Sequence, residues 1–80
     1  MALNLDELKT IVSRHRDFLD GRSGGVRANL TQRDLSGMKL SGISLAQAVA
    51  PSANFDDCLL VNADFTSADL FAASFVLANL

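Results

Sequence analysis

Ala53-Asn54-Phe55-Asp56-Asp57-Cys58-Leu59-Leu60-Val61-Asn62-Ala63-Asp64-Phe65-Thr66-Ser67-Ala68-Asp69-Leu70 decides the fold, because a large apolar residue returns at every fifth position. Traced outward, the register runs Leu30, Leu35, Leu40, Leu45, lapses at Ala50, and continues through Phe55, Leu60, Phe65, Leu70, Phe75 and Leu80. Two residues before each of these stands a second register of mostly small residues: Ala28, Ala48, Ala53, Ala63, Ala68, Ala73 and Ala78. Arg33, Met38, Ile43 and Cys58 are its exceptions. A spacing of five fits neither the 3.6-residue period of an α-helix nor the two-residue period of a flat strand. Within a unit the small and large residues are two apart, so both point to one face of a short extended segment. The polar residue between them, as in Ala63-Asp64-Phe65, faces water.

Several units close on turn-forming pairs: Ser36-Gly37, Ser41-Gly42, Asp56-Asp57 and Thr66-Ser67. A chain that turns a corner every five residues while burying the same side must coil about an axis. No unit buries its own face alone, so the core is made by stacking coils. The pattern A(D/N)LxX from Ala28 to Leu80 closely resembles the pentapeptide-repeat family. That resemblance implies an all-β solenoid, a right-handed quadrilateral β-helix with four units per coil, and hence about two and a half coils over residues 28–80. Residues twenty apart are then expected to stack. Leu35, Phe55 and Phe75 form one interior column and Leu45 with Phe65 another, in a stack only about 12–15 Å tall at strand spacing.

Residues Asn4 to Asp20 read as one amphipathic helix. Asn4 and Glu7 have capping-box spacing, Leu3 and Leu8 that of a hydrophobic staple, and Asp6 and Glu7 suit the helix dipole. Leu5, Leu8, Ile11, Val12, His15, Phe18 and Leu19 make the apolar stripe, and Gly21 ends the helix. An open solenoid end exposes core and strand edges, so the helix is expected to act as a lid, laying Val12, Phe18 and Leu19 across the first coil. Residues 1–27 are thus a capping helix with a Gly-rich turn (Arg22 to Arg27), and 28–80 the β-helix, together one structural domain. Arg33 is expected at the rim of the first coil, where it meets the lid or solvent, because burying it alone is costly. In Gln47-Ala48-Val49-Ala50-Pro51 either the core narrows or the coil bulges.

Eighty residues make one small domain. There is no apolar run long enough to span a membrane and no signal-peptide pattern. A single cysteine, Cys58, cannot form an intrachain disulfide and suits a reducing, cytoplasmic setting. The net charge of −2 leaves no basic footprint for nucleic acid, and residues from Asn54 onward carry Asp56, Asp57, Asp64 and Asp69 with no basic residue. Ser23-Gly24-Gly25 lacks the Gly-Lys-Ser/Thr ending of a phosphate loop and reads as a turn. His15 has no readable catalytic partner and reads as a semi-buried helix residue. Cys58 occupies an alanine slot and reads as an inert core thiol. Asp64 and Asp69 sit at the repeat's polar position and read as structural. No catalytic, metal or cofactor constellation is legible, so neither an enzyme nor a cofactor is expected.

The outer positions late in the chain are less bland. Pro51, Leu59, Val61, Phe71, Val76 and Leu77 all fall outward by the repeat, and Pro51 should stack with Phe71. Clustered exposed apolar residues mark interfaces. With no closing helix after Leu80, the last coil is expected to be covered by a second copy end to end or by a continuation of the chain. The expected role is therefore a non-enzymatic protein-binding or scaffold module acting on a protein partner or on itself, with no nucleic-acid or membrane partner. The alternatives are a DNA mimic that modulates a topoisomerase such as gyrase, as some members of the mostly bacterial family do, and a fragment of a longer repeat protein with no activity of its own.

Overall fold

The computed structural model describes residues 3–80, so the first two residues of the expected cap segment lie outside the described residues. Parallel bridges join Asn29 to Val49, Asp34 to Asn54, Lys39 to Leu59 and Ser44 to Asp64, and then Val49 to Asp69, Asn54 to Ser74 and Leu59 to Asn79. Every bridge spans twenty residues, which puts four five-residue units in one coil. Pairing is confined to these single-residue bridges, with no continuous strand or sheet among the described residues. The reason is geometric: a side only three residues long, such as Ala28 to Leu30, turns a corner before a ladder can extend.

Each corner is closed by its own hydrogen bond. The Arg33 N–H donates to the Leu30 carbonyl at 3.0 Å, Met38 to Leu35 at 3.2 Å, and the pattern recurs through Ala78 to Phe75 at 3.0 Å. The third residue of each corner has a left-handed φ, from 58° at Gln32 to 75° at Gly37, as a type II turn requires. Glycine supplies it only at Gly37 and Gly42; elsewhere Gln47, Ser52, Asp57, Asn62, Ser67, Ala72 and Leu77 are held there. Where a coil follows, it helps to hold the strained corner, since three of these residues donate to it: Gln47 to Thr66 at 2.7 Å, Ser52 to Phe71 at 2.7 Å and Asp57 to Val76 at 2.9 Å. A Cβ at Gly37 would meet no atom within 4 Å. Gly37→Ala is therefore expected to cost only the conformational penalty, about 1 kcal/mol, read by urea denaturation. A loss several times larger would mean that the corner is crowded.

The core is the inner face of these coils. Leu30, Leu35, Leu45, Phe55 and Leu60 are buried, with Ala28, Ala48, Ala53 and Cys58 filling the small slots. Phe55 and Phe75 stack at 5.0 Å between ring centroids and 7° between planes, as twenty-residue stacking requires. Phe65, from the column on the opposite side of the coil, meets both edge-on at 5.5 and 6.0 Å, so the two columns interlock across the interior as one aromatic cluster. At the irregular unit the bridges through Val49 continue in register and Ala50 is buried. The core narrows there and the coil does not bulge.

Helix α1 spans Leu5–Leu19. Asn4 caps it by accepting from the Asp6 N–H at 2.7 Å, but Glu7 does not close the expected capping box. Its carboxylate instead pairs with Arg33 of the first coil at 2.9 Å, where a longer-range charge partner outcompetes the local one. The C-terminus closes in a Schellman motif, with Gly21 donating to Phe18 at 3.2 Å and Arg22 to Asp17 at 2.9 Å. Gly25 follows because a Cβ there would overlap the backbone of Phe18.

The lid differs from its expected form in detail. Leu3 and Leu8 belong to the core, Ile11 and Val12 pack against it, and Leu5 is exposed. Phe18 lies beside the core on the His15 ring at 5.8 Å, with the Arg27 guanidinium 4.9 Å from its centroid.

Candidate functional site

The two ends of the coil stack are finished in opposite ways. At the first coil the lid satisfies backbone groups as well as apolar ones. The Leu3 N–H donates to the Asp34 carbonyl at 2.6 Å, and Val26 donates to Arg14 at 3.1 Å. His15, fully buried, bridges two corners of the coil: the Ala28 N–H donates to its Nδ1 at 2.9 Å, and its Nε2 lies 2.7 Å from the Ala46 carbonyl. An amide can only donate, so Nδ1 is the acceptor and the ring proton sits on Nε2, donating to Ala46. His15 is thus more than the semi-buried helix residue expected from its lone position; it is the polar rivet between lid and solenoid.

Among the described residues, nothing lies over the coil that reaches Leu80. The N–H groups of Phe65, Leu70 and Phe75 have no backbone acceptor among the described residues, whereas their counterparts one coil back, Leu45, Ala50 and Phe55, donate to Asp64, Asp69 and Ser74 at 2.8 Å each. Apolar side chains ring the same end: Phe71 is 79 % exposed, Val76 62 %, Leu77 82 % and Leu80 77 %. Of the other outward residues, Leu59 and Val61 are exposed in the middle coil and Pro51 is half-buried. Phe71, Val76 and Leu77 thus share the open end, whereas Leu59 and Val61 lie on another side, below Lys39 and Ser41.

The polar position of the repeat has a defined task. Asn29, Asp34, Asn54, Asp64 and Asp69 each accept, through Oδ1, the N–H two residues on, at 2.9 to 3.1 Å. That N–H begins the corner, so the side chain caps the turn. Hydrogen bonds from the hydroxyl and N–H of Ser36 hold the Asp34 carboxyl below its ordinary value, and those from Thr66 do the same for Asp64. Asp56 reaches down the stack, accepting from the Ser74 hydroxyl and, at 2.9 Å, from the Val76 N–H.

Cys58 is buried inside the middle coil and donates to the Leu35 carbonyl at 3.0 Å, and burial pushes its thiol up from the usual range. A thiol so placed stays protonated and shielded. His15 and Cys58 occupy separate places, one under the lid and one in the coil interior, and Asp64 and Asp69 stand on different sides of the last coil. Among the described residues, no group of three His, Cys, Asp or Glu side chains converges as metal ligands would, and no helix is long and apolar enough to cross a membrane.

No curated protein and no solved structure matches this chain. A family model does: pentapeptide repeats, in eight copies over residues 28–66. Together with bridges at twenty-residue spacing and a corner in every unit, that match identifies residues 28–66 as pentapeptide repeats.

Proposed function

We propose that this protein is a non-enzymatic protein-binding or scaffold module, built on a right-handed quadrilateral β-helix and working in a reducing, cytoplasmic setting. The observation that carries this reading is the grouping of outward apolar side chains on the coil of residues 61–80, where Phe71, Val76 and Leu77 stand in water beside N–H groups that have no backbone acceptor among the described residues. An exposed edge of this kind is a template for another chain, and grouped apolar side chains around it supply the driving force. A second copy meeting this end, a protein partner in its place, or a continuation of the chain would cover both. The rigid stack suits the role, because side chains twenty residues apart stand in fixed ladders that need little ordering on binding.

The test is solution mass by size-exclusion chromatography with light scattering. A dimer at micromolar concentration is expected, returning to monomer in Phe71→Ser or Val76→Ser, with the helical circular dichroism of the lid unchanged. A wild-type monomer over the same range would remove self-association and leave a monomeric adaptor.

A further inference from the structure

A groove of about 470 Å³ runs between α1 and the corner of the first coil at Lys39 to Ile43, away from the open end. Its floor includes Leu5, Val12 and Ile43, and Leu5 leaves 56 % of its surface in water. Three cations edge it: Lys9 and Arg16 on the helix wall and Lys39 on the coil wall. No carboxylate lines it. The ion pairs among the described residues are Arg22 with Asp17 and Arg33 with Glu7, so none of the three groove cations has a partner there. Beneath its coil wall Leu59 bridges to Lys39 and the Val61 carbonyl accepts from the Gly42 amide at 2.9 Å, and both of these apolar side chains are exposed.

The spacing of the charges selects the occupant. Lys9 and Arg16 are seven residues apart on one helix, about 10 Å along its axis, with Lys39 facing them. A single-headed anion such as a fatty acid would answer one cation and leave two. A nucleic-acid strand would bring spaced phosphates, but this floor is aliphatic and offers no ring on which bases stack. An amphipathic helix satisfies both requirements, with one apolar stripe on the floor and carboxylates two turns apart toward the rims.

We propose that this groove docks an acidic amphipathic helix of a partner protein, its leucine-like face on Leu5, Val12 and Ile43 and its carboxylates on Lys9, Arg16 and Lys39. The proposal rests on the protein-binding reading above and names the chemistry of the partner.

Fluorescence anisotropy tests it with the full chain and a labelled peptide of about fifteen residues, leucines at helical spacing flanked by glutamates. Saturable micromolar binding that weakens with added salt is expected. Lys9→Glu and Lys39→Glu should each weaken it about tenfold, and Phe71→Ser should leave it unchanged. Both lysines are exposed, and an unchanged melting temperature verifies that the variants fold. No saturation, equal binding by Lys39→Glu, or equal competition by a single-stranded oligonucleotide overturns the proposal. Binding that survives both lysine changes but is lost in Phe71→Ser overturns the groove while moving the contact to the open coil, which leaves the broader protein-binding reading standing.

Discussion

Phe55→Ala is expected to destabilise the protein by about 3–5 kcal/mol, lowering the melting temperature by roughly 12–40 °C for a domain of this size. Phe55 is buried at the centre of the aromatic cluster, stacked on Phe75 and met edge-on by Phe65. Alanine removes the ring from both partners and leaves a cavity. The solenoid cannot collapse into it, because each coil is held in register by bridges above and below. Phe75→Ala is the internal comparison. Its ring is half-buried in the open coil, so the same truncation removes less buried surface and should cost distinctly less. Thermal melting of the two variants checks both the depth and the direction of the column. Equal melting of Phe55→Ala and wild type would mean that Phe55 does not point inward.

His15→Leu is expected to cost about 2–6 kcal/mol, although leucine fills much of the same volume. The ring is the sole partner found for the Ala28 N–H and the Ala46 carbonyl, at 2.9 and 2.7 Å. Leucine would leave both unsatisfied beneath the lid, at about 1–3 kcal/mol each. Amide exchange separates this from loss of packing: protection at Ala28 should fall selectively, while the corners of the last two coils keep theirs. If Ala28 stayed protected in His15→Leu, water or another group would be meeting its N–H and the rivet role would be lost.

Much of this architecture is legible in the amino-acid order because a solenoid is nearly one-dimensional. Each unit touches its chain neighbours and the units twenty residues away, so a five-residue period in Leu30 to Leu80 carries the interior and the corners together, and the family resemblance adds the stacking partners. The lid was legible for the same local reasons: Asn4 before the helix, Gly21 after it, and the stripe through Leu8 and Val12. The repeat's polar residue was legible only as a position facing water. Its task of capping the corner depends on where Oδ1 stands relative to the N–H two residues on, and composition does not encode that distance. The groove left one faint trace, since all seven cations lie between Lys9 and Lys39. Nothing in the order of residues said that three of them would face one apolar floor.

By itself, the sequence determined the coiling, the inward register of large residues and the N-terminal helix, because a five-residue period and local capping signals are written in the order of residues; four units per coil, and with them the Phe column, were implied by the family resemblance and are set in the structure by bridges twenty residues apart. Tertiary structure alone decided how the lid meets the coil. Glu7 turned from its own helix to Arg33, Leu5 was left in water, Phe18 moved aside onto His15, and His15 itself became the link to Ala28 and Ala46. The contacts of Glu7 with Arg33 and of His15 with the coil are single and non-repeating and span 13 to 31 residues. Their geometry depends on the angle at which one rigid body lies on another, and no period in the chain records that angle.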